Sequence, residues 1–252
     1  MSLAGAGDLL DCSHGSDFDD DPEFNSSYLW PQHLSLDKLP PLPKPSSRYR
    51  SEPFMGICIV VGLSALLVSV TQGVATQAFA AARAAKSSAV PDTVDNEGVR
   101  LLHMAVNLIW AEAITAVVSM LYLLLGSAGV IRRSARTCYP VPGEVAERVR
   151  EGRSMEGLKN LRGPMGSRSY GSYCVRCLVW RPPRDAGKSH HCNVCQRCVK
   201  GFDHHCGVFG RCIVRGNMPC FFAMIAMMFL GMATAMVAVA AGAGAEARPA
   251  SR

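Results

Sequence analysis

Charge is what this sequence lacks over long stretches. No Asp, Glu, Lys or Arg lies between Glu52 and Arg83, only Glu112 between Met104 and Ile131, and none from Met218 to Ala245. A soluble domain made from 252 residues cannot enclose three helices that are apolar all round and still have a surface, so a single soluble globule is excluded. The N-terminus lacks the basic start of a secretory signal and carries Asp8 and Asp11 around a very short apolar run, which argues against such a leader. Ser2 stands where N-myristoylation requires Gly. Aromatic residues are also scarce, at 7%. Few aromatics, with Trp180, Phe202 and Phe209 the ones on offer among the Cys/His residues, are interleaved with the basic charge, which ranks a nucleic-acid-binding zinc knuckle on a membrane anchor last.

The charge that is present lies in opposed blocks. Residues 1–52 hold nine acids against four Lys/Arg, and residues 132–218 hold seventeen Lys/Arg against six acids. The first block is expected to be a disordered, acidic and Pro-rich cytosolic tail. Its run from Leu39 to Pro45 is either a semi-rigid linker or a polyproline ligand for an SH3-like partner. Three runs of about 20 residues or more, each enough to cross about 30 Å of hydrocarbon at 1.5 Å per residue, predict transmembrane helices over 54–75, 104–131 and 218–242. Residues 76–103 then form a lumenal loop, 132–172 a cytosolic linker, 173–217 a Cys-rich domain and 243–252 a short tail. Glu112 is costly in lipid and is expected to face another helix or water. Arg48 and Arg50 before the first span, and Arg132, Arg133 and Arg136 after the second, put the N-terminus and the Cys-rich segment in the cytosol.

Eleven cysteines are too many for background, and eight of them lie between Cys174 and Cys220 with four of the seven histidines. A disulfide scaffold has no use for those histidines, so the mixture points to metal in a reducing compartment. Cys174/Cys177 and Cys192/Cys195 are CxxC pairs, each offering two thiolates from one tight knuckle, as a tetrahedral Zn²⁺ requires. Two closed sites take eight ligands from twelve candidates, and spacing alone leaves open which four are spare. The segment has few large apolar residues, so zinc is expected to stand in for a hydrophobic core.

Asp203-His204-His205-Cys206, preceded by both CxxC pairs and His191-Cys192 and followed by Cys212, Asn217 and Phe221, resembles the Cys-rich domain of DHHC-type protein S-acyltransferases (palmitoyltransferases). The resemblance covers Tyr173 to Phe221 in detail and implies an α-helical integral membrane protein with a small zinc-stabilised cytosolic domain between its second and third spans. It implies one zinc on Cys174, Cys177, His191 and Cys198 and a second on Cys192, Cys195, His205 and Cys212, with His190, His204, Cys206 and Cys220 left over. It also implies a fourth helix and a Thr-Thr-x-Glu tail, neither of which follows the third run here. The chain departs from the family at Gly207-Val208, where Pro-Trp is usual, at Arg211, where Asn is usual, and at Val141-Pro142-Gly143, the nearest equivalent of an Asp-Pro-Gly turn. The stretch from Cys177 to His191 is about four residues longer than the family norm, which a surface loop at Asp185 to Ser189 absorbs.

On this reading Cys206 is the nucleophile, His204 its base and Asp203 the group that orients the imidazole, a division of labour found in Cys-His-Asp triads. Long-chain acyl-CoA, typically palmitoyl-CoA, is the implied acyl donor. Substrate proteins with membrane-proximal cysteines, together with membrane lipid, are the implied partners, and nucleic acid is not. Arg181, Arg184, Lys188, Arg197, Lys200, Arg211 and Arg215 are candidates to meet the phosphates of CoA. Met224, Met227, Met228, Met232 and Met236 are candidate linings for an acyl cavity, against ordinary helix packing. The expected location is an endomembrane such as Golgi or ER, or the plasma membrane. The alternative is an inactive or truncated DHHC-like membrane zinc scaffold.

Overall fold

The computed structural model describes residues 36–87, 96–163, 170–183 and 188–246. The acidic cluster from Asp17 to Glu23, the centre of the expected lumenal loop, most of the expected insertion at Asp185 to Ser189, Arg184 and the final residues lie outside the described residues. Five α-helices are found among those described: α1 (Arg48–Ser87), α2 (Asn96–Leu125), α3 (Ala135–Cys138), α4 (Gly143–Arg150) and α5 (Met218–Glu246). Seven short strands accompany them: β1 (Leu161–Arg162), β2 (Ser172–Cys174), β3 (Val179–Arg181), β4 (Ser189–Cys192), β5 (Arg197–Lys200), β6 (Phe202–Cys206) and β7 (Arg211–Val214). They form an antiparallel β1-β2-β3 sheet and two two-stranded pairs, β4-β5 and β6-β7.

Helices α1, α2 and α5 are long and apolar enough to cross a membrane. Their outward faces carry Phe54, Leu66, Ile114, Val118, Phe229 and Met236 in exposed positions, as helices solvated by lipid do. The helices run past the expected spans. At 40 residues α1 is about 60 Å long, roughly twice the hydrocarbon thickness. It starts at Arg48 because its first turns are tied down by the side-chain contacts of Tyr49 and Glu52 described below. It continues to Ser87 because the Ala-rich stretch after Thr76 is a strong helix former although no longer strongly apolar. Helix α2 begins at Asn96, eight residues before the apolar run, with Glu97 in its first turn, where the helix dipole favours an acid. Most of the segment expected as a 76–103 loop is therefore helical.

The chain divides into two units, one formed by residues 36–43, 130–191 and 196–200, the other by 44–129, 192–195 and 201–246. The first unit has a hydrophobic core that the sequence reading did not expect. Tyr173, Leu178, Val179 and Trp180 are buried with Ile131, Cys138, Val141 and Val145. Burying a large apolar side chain contributes about 1.5–3 kcal/mol, so metal here supplements a core and does not replace one. The expected 132–172 linker supplies a third of this core, through α3, α4 and the residues beside them, and Trp180 Nε1 donates to the Pro140 carbonyl at 2.6 Å. The Pro-rich run is pinned as well. Leu39 is buried, Arg133 donates to the Pro40 carbonyl at 2.7 Å, and Arg197 donates to that of Pro43 at 2.8 Å.

In the second unit the three long helices pack through small residues. A Cβ on Gly231 would lie 3.3 Å from Leu67 and 3.4 Å from Ile109, and one on Gly242 would lie 2.4 Å from Val74. Glu112 is 2% exposed and accepts a hydrogen bond from Thr234 Oγ1 at 2.9 Å, so it faces a neighbouring helix and not lipid. Met224 is buried against Val60, Met120 and Phe209, with Met227 and Met228 beside it. Met236 is 66% exposed.

Candidate metal centres and active site

Each CxxC pair folds as a knuckle that turns two thiols the same way. The residue after each second cysteine, Leu178 (φ 57°) and Gln196 (φ 53°), takes a left-handed conformation that is uncommon outside glycine. In the first knuckle Leu178 N–H donates to the Cys174 carbonyl at 2.7 Å, and in the second Cys195 N–H reaches the Cys192 sulfur at 3.4 Å.

The structure gathers the eight implied ligands into two sets of four, Cys174/Cys177/His191/Cys198 and Cys192/Cys195/His205/Cys212, with the donor atoms of each set within 4.8 Å of one another. Four ligands at about 2.0–2.3 Å from one tetrahedral ion stand about 3.4–3.8 Å apart. In the first set His191 Nδ1 is 3.5, 3.2 and 3.8 Å from the sulfurs of Cys174, Cys177 and Cys198. In the second, His205 Nδ1 is 3.4, 3.4 and 3.7 Å from those of Cys192, Cys195 and Cys212. Both sets have tetrahedral dimensions.

Electrostatics agree with that geometry. Hydrogen bonds among the thiols hold Cys174 well below the ordinary thiol range and Cys198 well above it. Burial works against a charged His191 ring, yet hydrogen bonds and negative charge from Cys174 and Cys177 raise it to about 10. A divalent ion held by such a donor set would displace its protons. These are Cys/His clusters compatible with zinc.

The ring nitrogens turned away from the clusters are also engaged. His191 Nε2 lies 3.3 Å from Gln196 Oε1, and His205 Nε2 donates to Glu52 Oε2 at 2.9 Å. Such outer partners fix the tautomer and the orientation of a ligating imidazole. The sequence reading missed both Gln196 and Glu52. The available signal for Glu52 was an acid at the edge of an apolar run where the flanking charges are otherwise basic. Asn217 secures a further ligand: its Nδ2 donates to the Cys212 carbonyl at 3.0 Å and its Oδ1 accepts from Val214 N–H at 2.7 Å.

The β6-β7 hairpin has two faces. His205 pairs with Cys212 in register and both serve the metal set, so the alternation of a strand sends His204 and Cys206 to the opposite face. His204 Nδ1 lies 2.8 Å from Asp203 Oδ2, with both side chains about half exposed. Phe221 meets the His204 ring edge-on at 5.7 Å. Cys206 is half-buried and packs on the apolar cluster of Phe209, Ile213 and Met224. The turn after it, Gly207 to Gly210, lies against α1. Gly56 N–H donates to the Val208 carbonyl at 2.9 Å, and a Cβ on Gly210 (φ 58°) would come 2.6 Å from Pro53.

Several basic candidates are engaged within the fold. Arg211 donates to the Leu124 carbonyl at 3.1 Å and lies over the Tyr49 ring at 4.5 Å. Arg181 donates to Ser172 Oγ at 3.1 Å, and Arg197 is held by Pro43. Lys188, Lys200 and Arg215 are exposed.

The DHHC palmitoyltransferase family model matches residues 167–246. Palmitoyltransferase erf2 of Aspergillus fumigatus is 47% identical over 73 residues, 27% of this chain and 11% of that protein. The erf2 palmitoyltransferase of Emericella nidulans is 38% identical over 73 residues, 12% of its length. Probable protein S-acyltransferase 12 of Arabidopsis thaliana is 40% identical over 72 residues, 22% of its length. The chain thus matches only a small part of each relative, and the stretch matched by the family model holds the knuckles and the β6-β7 hairpin. Residues 167–246 are the part of the chain that is similar to the DHHC palmitoyltransferase family.

Proposed function

We propose that the protein is a protein-cysteine S-palmitoyltransferase that carries a long-chain acyl group from acyl-CoA to cysteines of substrate proteins through an acyl-enzyme at Cys206. The observation that carries this is the division of the hairpin, with His205 and Cys212 on the metal face and His204 and Cys206 on the other. A free thiol of pKa about 8.5 is mostly protonated at neutral pH and needs a base. His204, held at Nδ1 by Asp203, presents its other ring nitrogen to receive that proton. The Cys206 sulfur attacks the thioester carbonyl, the carbon–sulfur bond to CoA breaks, and the CoA thiol leaves with the proton. A substrate thiol then attacks the acyl-enzyme and returns the thiol to Cys206.

Cys174, Cys177, His191 and Cys198 would hold one zinc, and Cys192, Cys195, His205 and Cys212 the other. Closed four-ligand sites supply structure and leave no position open to a reactant. Lys188, Lys200 and Arg215, being exposed, are the better candidates for the phosphates of CoA. The catalytic domain faces the cytosol, where thiols stay reduced, and the protein resides in an endomembrane such as Golgi or ER, or in the plasma membrane. Its partners are substrate proteins with membrane-proximal cysteines. Steady-state kinetics in proteoliposomes, varying acyl-CoA and an acceptor peptide thiol, test the scheme. Parallel double-reciprocal lines are expected, and intersecting lines that require both substrates bound together contradict the acyl-enzyme.

A further inference from the structure

The two metal sets differ in what stands behind their histidines. Behind His191 is Gln196, a neutral group five residues along in the same knuckle. Behind His205 is Glu52, a carboxylate 153 residues away at the start of a membrane-crossing helix. The Glu52 side chain is 17% exposed and that of His205 is 12% exposed, so the bond is largely shielded from water. His205 Nδ1 is the atom turned to the three sulfurs, which leaves Nε2–H to donate to Glu52.

Glu52 itself is held in place. Pro53 and the Cβ of Glu52 close over Gly210, where an added Cβ would lie 2.6 and 3.1 Å from them. Its other carboxylate oxygen points toward Gly207, the residue after Cys206, 3.9 Å from where a Cβ would be. The same turn of α1 is fixed by Gly56 N–H on the Val208 carbonyl and by Tyr49 beneath Arg211. The carboxylate therefore braces the strand at His205, the residue before the thiol.

We propose that Glu52 is the positioning residue of the second metal site, holding the His205 ring toward the cluster and thereby fixing the strand end that carries Cys206. Helix α1 is then part of the active-site framework as well as a membrane anchor. This rests on the reading of the clusters as zinc sites and of Cys206 as the acylated thiol. A charged acceptor raises the donor strength of a ligating imidazole, and loss of such a partner costs about 10–100-fold in metal affinity or activity.

The test uses the full chain in detergent, with zinc counted and its release to a colorimetric chelator followed, alongside Cys206-dependent acyl labelling, for wild type, Glu52→Ala and Glu52→Gln. In Glu52→Ala one zinc is expected to leave about 10–100-fold faster while the other keeps its wild-type rate, and labelling falls with it. Glu52→Gln, which keeps an acceptor oxygen without the charge, is expected to lie between. Wild-type release from both sites with full labelling in Glu52→Ala overturns the proposal. So does equal acceleration at both sites in both variants, since general support of folding is then all that Glu52 provides. A wild-type protein that holds no zinc, or takes no label at Cys206, fails the underlying reading instead.

Discussion

His205 faces Cys212 directly across the β6-β7 hairpin, and that one pairing sets the chemistry of the strand. Both side chains turn to the second metal set, so the residues flanking His205 must turn away from it. The motif Asp-His-His-Cys then holds two histidines with opposite duties: His205 belongs to the metal face, and His204 shares its face with Cys206, about 6.6 Å along the strand.

Removing one ligand should therefore remove one metal. His205→Ala and Cys174→Ser are each expected to lower zinc from two per chain to one, read by atomic absorption on detergent-purified protein. Structural zinc contributes about 10–16 kcal/mol where measured in small domains, comparable to the whole stability of an ordinary fold. Chelation should accordingly lower the unfolding temperature steeply. Zinc unchanged at two in His205→Ala would show that the second set is wrongly composed.

The Asp203–His204 pair should govern rate and not metal content. His204→Ala is expected to slow acyl-enzyme formation about 10²–10⁴-fold, the usual worth of a general base, with both zincs retained. Asp203→Asn is expected to slow it by less, because the imidazole is then present but less firmly oriented. Rapid-quench labelling measures both. A wild-type rate in His204→Ala assigns the base to another residue.

Glycine at 210 is required by conformation as well as by space. With φ at 58° and Pro53 only 2.6 Å from an added Cβ, Gly210→Ala is expected to cost about 1–3 kcal/mol and to depress acylation. Gly216, which has nothing within 4 Å of such a Cβ, provides the control, and Gly216→Ala should unfold at the wild-type temperature. Equal melting of the two variants would mean that the 207–210 turn does not bear on α1.

Inside the bundle, Thr234 is the donor that the buried Glu112 carboxyl uses. Thr234→Val should destabilise the detergent-solubilised protein by about 1–3 kcal/mol by leaving that group without its partner. The double variant Thr234→Val/Glu112→Leu should recover part of the loss. No recovery would show that the two residues act independently.

Much of this was legible in the residues. The uncharged runs marked three helices, because hydropathy is a local property, while spacing marked only the two CxxC pairs and the full ligand sets came from the resemblance carried by the Asp-His-His-Cys motif. Helix ends were not legible from hydropathy: the Ala-rich stretch to Ser87 is helical by propensity, and Arg48 to Glu52 by tertiary anchoring. The core around Tyr173 and Trp180 was missed because a third of it comes from 131–146, a segment whose apolar residues are too sparse to signal burial alone. Glu52 was missed because its partner lies 153 residues away, and no periodicity reports such a pairing.

The central claim is an acyl group on the Cys206 sulfur. It is tested most directly by incubating purified protein with radiolabelled palmitoyl-CoA, for wild type and Cys206→Ser, and counting label before and after neutral hydroxylamine. The account predicts hydroxylamine-labile label on the wild type and none on Cys206→Ser, with two zincs in each. Equal label on both proteins, or label that hydroxylamine does not release, would contradict it.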